Sequence, residues 1–209
     1  MLRRIGAPET NILVAQSNLA NSYSRLGRFE EALRMQRAVY SGRLKIHGEE
    51  HNQTLFAAYN YANMLVHLER FEEGKALLRR TLPVARRVLG ENDDMTLRMR
   101  WTSATALHDD PNATLDDFRE AVNTLEDTEQ TARRVLGGAH PSTVKIERSL
   151  RMARVALAAR GGDVASLREA VGAMTAGDYE WRESRSPPGA RGDVESLREA
   201  VEAMTAGDA

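Results

Sequence analysis

Two histidines four residues apart, His47 and His51, have a spacing that would place two metal ligands on one helix face. Gly48 lies between them and marks a helix end, so the pair falls in a connection and the spacing loses its helical meaning. Asp109, Asp110, Asp116 and Asp117 lack the alternate spacing and the glycine of a calcium loop; acids at a helix start favour its dipole instead. The chain has no cysteine, hence no thiol nucleophile, thiolate site or disulfide. It shows no glycine-rich phosphate loop and no Ser/His/Asp arrangement. The expectation is a non-enzymatic chain with no catalytic residue, no bound metal and no cofactor. A metal-dependent enzyme built on His47 and His51 is the competing reading.

The residues that stand out are amides. Asn18, Asn21, Asn60 and Asn63 fall in helical segments, although Asn is a mediocre helix former. They recur because the chain repeats. Asn18-Leu19-Ala20-Asn21 returns 42 residues later as Asn60-Tyr61-Ala62-Asn63, and Arg28-Phe29-Glu30-Glu31 as Arg70-Phe71-Glu72-Glu73. Gly48-Glu49 returns as Gly90-Glu91, and Thr54-Leu55 as Thr96-Leu97, at the same offset. A third unit follows at an offset of 47, with Phe71 on Phe118 and Arg87-Val88-Leu89-Gly90 on Arg134-Val135-Leu136-Gly137. Its five extra residues fall within His108–Ala113. Thr143-Val144 opens a fourth unit, and Gly6, 42 residues before Gly48, places Met1 in the last turn of an earlier one.

Apolar residues within each unit follow helical spacing: Ile12, Leu19, Tyr23 and Leu26, then Leu55, Ala58, Ala62, Leu65 and Leu68. A second periodic segment runs from Phe29 or Phe71 to the glycine at 48 or 90. Asn52, Asp94 and Ser142 are the expected N-caps of first helices, and Thr114 with Asp117 an expected capping box. Pro83 predicts a kink in its helix. Each unit is therefore two antiparallel helices joined by a tight turn at Gly27-Arg28 or Glu69-Arg70. A lone pair cannot bury its apolar faces, whereas stacked pairs can.

A second duplication ends the chain. Gly162–Asp178 and Gly192–Asp208 are identical at 15 of 17 positions, with Ala165 against Glu195 and Gly172 against Glu202. Each copy reads as a short helix. The expected organisation is a repeat array over 1–178 with three to four units, a linker over 179–192 containing Pro187-Pro188-Gly189, and a short helix over 193–209 duplicating 163–178.

The net charge of −1 argues neither for nucleic acid nor for an anionic membrane. The basic pairs Arg86-Arg87 and Arg133-Arg134 lack the interleaved aromatics of a nucleic-acid site. No apolar run approaches the roughly 20 residues of a membrane helix. Arg191-Gly192-Asp193 matches a cell-adhesion tripeptide, but no secretory segment accompanies it. A cytoplasmic location, with no membrane insertion and no nucleic-acid partner, is the expectation.

The pieces Asn18-Leu19-Ala20, Gly27-Arg28-Phe29-Glu30-Glu31-Ala32, Leu136-Gly137 and His140-Pro141-Ser142-Thr143 resemble the tetratricopeptide repeats of kinesin light chains and their relatives. The resemblance covers about residues 1–160, and Glu69 stands where the family turn has glycine. It implies an all-α, right-handed α-solenoid of tandem antiparallel helix pairs, and a scaffold that binds a protein or peptide in a concave groove lined by first helices. The groove set it implies is Asn18, Asn21 and Arg25, then Asn60, Asn63 and His67, then Arg98 and Thr102, then Lys145 and Arg148. Amides at one end and fixed positive charge at the other suit an acidic peptide. The asparagines have a second possible role, bonding neighbouring helices to keep the repeats in register. A structural segment of a longer array, with no peptide ligand, is the alternative function.

Overall fold

A computed structural model describes residues 9–162 and residue 165. The expected linker at 179–192, the terminal helix at 193–209 and, apart from Ala165, its first copy lie outside them, as does the segment before Glu9. The described residues form α1 (Glu9–Arg25), α2 (Phe29–His47), α3 (Asn52–His67), α4 (Phe71–Leu89), α5 (Asp94–His108), α6 (Leu115–Leu136) and α7 (Pro141–Gly161), with no strand among them. The helices start and stop at the repeat positions read from the sequence.

The chain divides at Ala106 into two compact units. In the first, α2 packs against both α1 and α3, and α4 packs against α3. One apolar core joins Ala32, Leu33, Val39, Leu55, Ala58, Ala62, Leu65, Leu78 and Met99. The fully buried alanines let helix backbones approach closely, and the leucines fill the spaces between them. In the second unit α6 packs against α7. There the inserted residues form a turn. Asp110 accepts from the Asn112 N–H at 2.9 Å, and the Arg160 guanidinium donates to the Ala113 carbonyl at 2.8 Å while lying 4.9 Å from the Phe118 ring centre.

Backbone geometry sets the period. Gly48, Gly90 and Gly137 end α2, α4 and α6 with φ of 78°, 98° and 90° and ψ of 176°, 157° and 155°. That region is essentially closed to residues with a Cβ. Three residues after each glycine comes the cap of the next first helix. His51 Nδ1 accepts from the Gln53 N–H at 3.1 Å, Asp93 Oδ1 from the Met95 N–H at 2.9 Å, and His140 Nδ1 from the Ser142 N–H at 3.2 Å. The caps therefore precede the expected Asn52, Asp94 and Ser142. Those residues already lie inside their helices, and the imidazole Nδ1 supplies the acceptor that a capping carboxylate would. The capping box at Thr114 and Asp117 forms as expected. Pro83 is exposed inside an uninterrupted α4, so it does not end that helix.

The turns between paired helices share one geometry despite different residues. The Arg28 N–H donates to the Tyr23 carbonyl and the Arg70 N–H to the Leu65 carbonyl, both at 2.9 Å. Gly27 has φ 76° and Glu69 has φ 60°. Glu69 thus holds a left-handed conformation that costs a side-chain-bearing residue about 1–2 kcal/mol. Replacing Glu69→Gly removes that cost but adds unfolded-chain entropy, for a net stabilisation of up to about 1 kcal/mol. Gly48→Ala meets no neighbouring atom yet should destabilise by about 1–3 kcal/mol, through backbone strain alone. Urea unfolding of the two variants should move the midpoint in opposite directions.

Candidate functional site

The named asparagines lie on one face of each first helix. On α1, Asn18, Asn21 and Arg25 are all exposed. On α3, Asn63 is exposed, and Asn60 and His67 are half-buried. Both helices pack against α2. The same face carries two residues that the sequence reading did not select. Val14 and Phe56 are 45% and 46% exposed, four residues before Asn18 and Asn60. Their signal was present: they are 42 residues apart, and Arg98, which was selected, is the next position of that column. An apolar residue in a helical repeat reads as core, and only its exposure in the fold shows otherwise.

The structure separates the two roles open to the asparagines. Asn21 Oδ1 accepts from Gln36 Nε2 at 3.1 Å, and Gln36 is only 1% exposed. This bond ties α1 to α2. At the equivalent place in the next repeat, Asn63 faces a unit whose counterpart of Gln36 is the buried Leu78. Asn60 Nδ2 is out of solvent and has no hydrogen-bond partner. Asn21 thus serves register, whereas Asn60 and Asn63 are not committed to it. His67 contributes packing, with its ring edge-on to Phe29 at 4.5 Å.

Positive charge on α5 is compensated. Arg98 pairs with Asp94 at 2.7 Å and lies against Tyr59 of α3. Burial works to lower the Arg98 guanidinium pKa, but the hydrogen bond and charge of Asp94, helped by Tyr59, outweigh it and raise it. Burial pushes the Tyr59 phenol up, with Arg98 acting against it. Thr102 does not belong to the expected surface. It is 3% exposed and its hydroxyl donates to the Arg98 carbonyl at 2.9 Å, so a ligand cannot reach it. Trp101 is half-buried. Lys145 and Arg148 are exposed on α7, in the second unit. The rings of His47 and His51 stack with centres 4.4 Å apart, and His51 Nδ1 is used as a cap. Among the described residues no three His, Cys, Asp or Glu side chains converge as metal ligands would.

Residues 12–53 and 57–94, the segment of α1 to α4, match the family model described as tetratricopeptide repeat. Residues 12–53 and 57–94 are tetratricopeptide repeats by this match. Its fold is similar to that of a kinesin-light-chain-like protein of Podosopora anserina built of nearly identical TPR-like repeats, at 21% identity and a TM-score of 0.63, covering 94% of this chain and 96% of that one. A single-substitution variant of that same protein aligns with a TM-score of 0.65 at 21% identity, over 96% and 98% of the two chains. BtubC (BKLC) from P. vanneervenii aligns with a TM-score of 0.63 at 17% identity, over 87% and 72%. No curated protein matches significantly. These matches bear out the tandem helix-pair solenoid of tetratricopeptide type. Tetratricopeptide repeats as a class are scaffolds for protein interaction. No helix among the described residues is long and apolar enough to cross a membrane.

The pair Asn21 and Asn63 gives an internal control. Asn21→Ala should destabilise the protein by about 1–3 kcal/mol, because it strands the buried Gln36 amide. Asn63→Ala should stay within about 0.5 kcal/mol of the parent, since only an exposed side chain without such a bond is lost. Equal losses in thermal unfolding would show that both asparagines hold the register.

Proposed function

We propose that the first-helix face of α1 and α3, with Arg98 beside it, binds an extended peptide, and that the chain is a non-enzymatic cytoplasmic adaptor. The observation that carries this reading is the mixed character of the face. Val14 and Phe56 expose apolar surface next to Asn18, Asn60 and Asn63, whose amides can pair with the backbone of an extended ligand. The exposed amides of Asn18 and Asn63 carry the reading, since Asn60 Nδ2 lies out of solvent.

Arg25 is exposed and Arg98 is half-buried, and there is no carboxylate among the face residues themselves. A carboxylate on the peptide would gain charge-assisted hydrogen bonds from Arg25, and from Arg98 in competition with Asp94. We therefore assign an acidic peptide to this face. Lys145 and Arg148 are proposed as a separate extension of the same chemistry on α7.

A peptide-array screen of the whole chain against Asn60→Ala combined with Arg98→Ala tests the assignment. Acidic peptides should be enriched among the binders, their affinity should fall with added salt, and the double variant should lose about tenfold or more while keeping its helical content. Unselective binding, or a folded double variant that binds equally well, would remove the face from consideration.

A further inference from the structure

The second helices of the first unit carry an unusual charge pattern. Between Glu31 and Glu49 the sequence of α2 and its end contains no carboxylate, and neither does that of α4 between Glu73 and Glu91. These stretches hold Arg34, Arg37 and Lys45, and Arg79, Arg80, Arg86 and Arg87, all exposed. The helix dipole accounts for cations in the last turn, but not for Arg37, Arg79 and Arg80 in the helix bodies. Nor do the repeat positions demand cations. In α6 the places of Arg79 and Arg80 are taken by Glu126 and Asp127.

The cations fall into two matched stripes. Arg37, Ser41 and Lys45 are spaced by four along α2, and Arg79, Pro83 and Arg87 occupy the same positions of α4. Each stripe spans about 12 Å. The two helices are neighbours: the Arg80 guanidinium donates to the Tyr40 hydroxyl, across from α4 to α2. The corners of the patch are four cations around the short side chains of Ser41 and Pro83, on two helices that this side-chain contact joins. Arg87 is paired with Glu50, Arg86 with Glu91, and Arg34 feels Glu31. Arg37, Lys45 and Arg79 have no carboxylate partner among the described residues.

We infer that this outer face of α2 and α4 is a second docking surface, and that its partner is an acidic polypeptide segment. Carboxylates on one side of a helix or strand recur every 6–7 Å or so, and two or three of them fit across the patch. Guanidinium groups dominate it, and these bind carboxylates bidentately. Stacked nucleic-acid bases are disfavoured, since Tyr40 and Phe71, the aromatics of these helices besides the half-buried Phe29, are buried. A lipid surface is disfavoured because the centre of the patch is Ser41 and Pro83, and the exposed Ile46 and Val88 stand only at its end beside Lys45 and Arg87. The surface is independent of the first-helix face.

The test is fluorescence anisotropy of a labelled oligoglutamate with the whole chain, which carries no net positive charge to attract it nonspecifically. Binding should weaken with salt, and Arg37→Glu with Arg79→Glu should lower affinity about tenfold or more. Arg37→Gln with Arg79→Gln should give an intermediate loss, and Asn60→Ala with Asn63→Ala a smaller one, since the first-helix face is proposed to take acidic peptides as well. No binding of oligoglutamate, unchanged affinity after charge reversal, or an equal loss in the asparagine variant overturns the inference. So does tighter arginine-dependent binding of a single-stranded oligonucleotide or of anionic vesicles. A failed peptide array with oligoglutamate binding intact would remove the first-helix face alone.

Discussion

Every helix in the middle of this chain has more than one apolar face to bury, and its hairpin partner can cover only one. The rest of the structure follows from that constraint. Leu55, Ala58, Ala62 and Leu65 make α3 buried on the sides that meet α2 and α4. No single pair is self-sufficient, so stability comes from neighbours. The sequence must then return to the same apolar pattern at a fixed interval. The glycines at 48 and 90 set that interval at 42 residues, and five inserted residues put the next at 137; only glycine takes their backbone conformation without strain.

Fixed stacking has a consequence for function. Residues 42 apart hold equivalent places on successive helix pairs. Core positions must repeat in kind, but surface positions need not. The surface positions are therefore where this chain differs from a bare scaffold. The first-helix position changes from Val14 and Phe56 to Arg98, and the second-helix position from Arg37 and Arg79 to Glu126. The polar contacts between helices are likewise individual. Gln36 with Asn21 and Arg43 with Gln53 join particular pairs, and the next repeat has Leu78 and Ala85 at the places of Gln36 and Arg43.

The sequence alone determined the helix pairs, their order and their ends to within a residue or two, because helix period, turn glycines and repeat offset are local or periodic signals. It also located the face on which Asn18, Asn21, Asn60 and Asn63 lie. Only the tertiary structure decided what those residues can do. Asn21 is engaged by a residue 15 positions away, Thr102 is covered and bonds back to Arg98, and Arg98 is already paired with Asp94. The sequence could not show this, since matching positions have the same place on a helix but different partners opposite them. Val14 and Phe56 make the same point from the other side: side-chain type suggested core, and exposure depends on whether a neighbouring helix arrives to cover it.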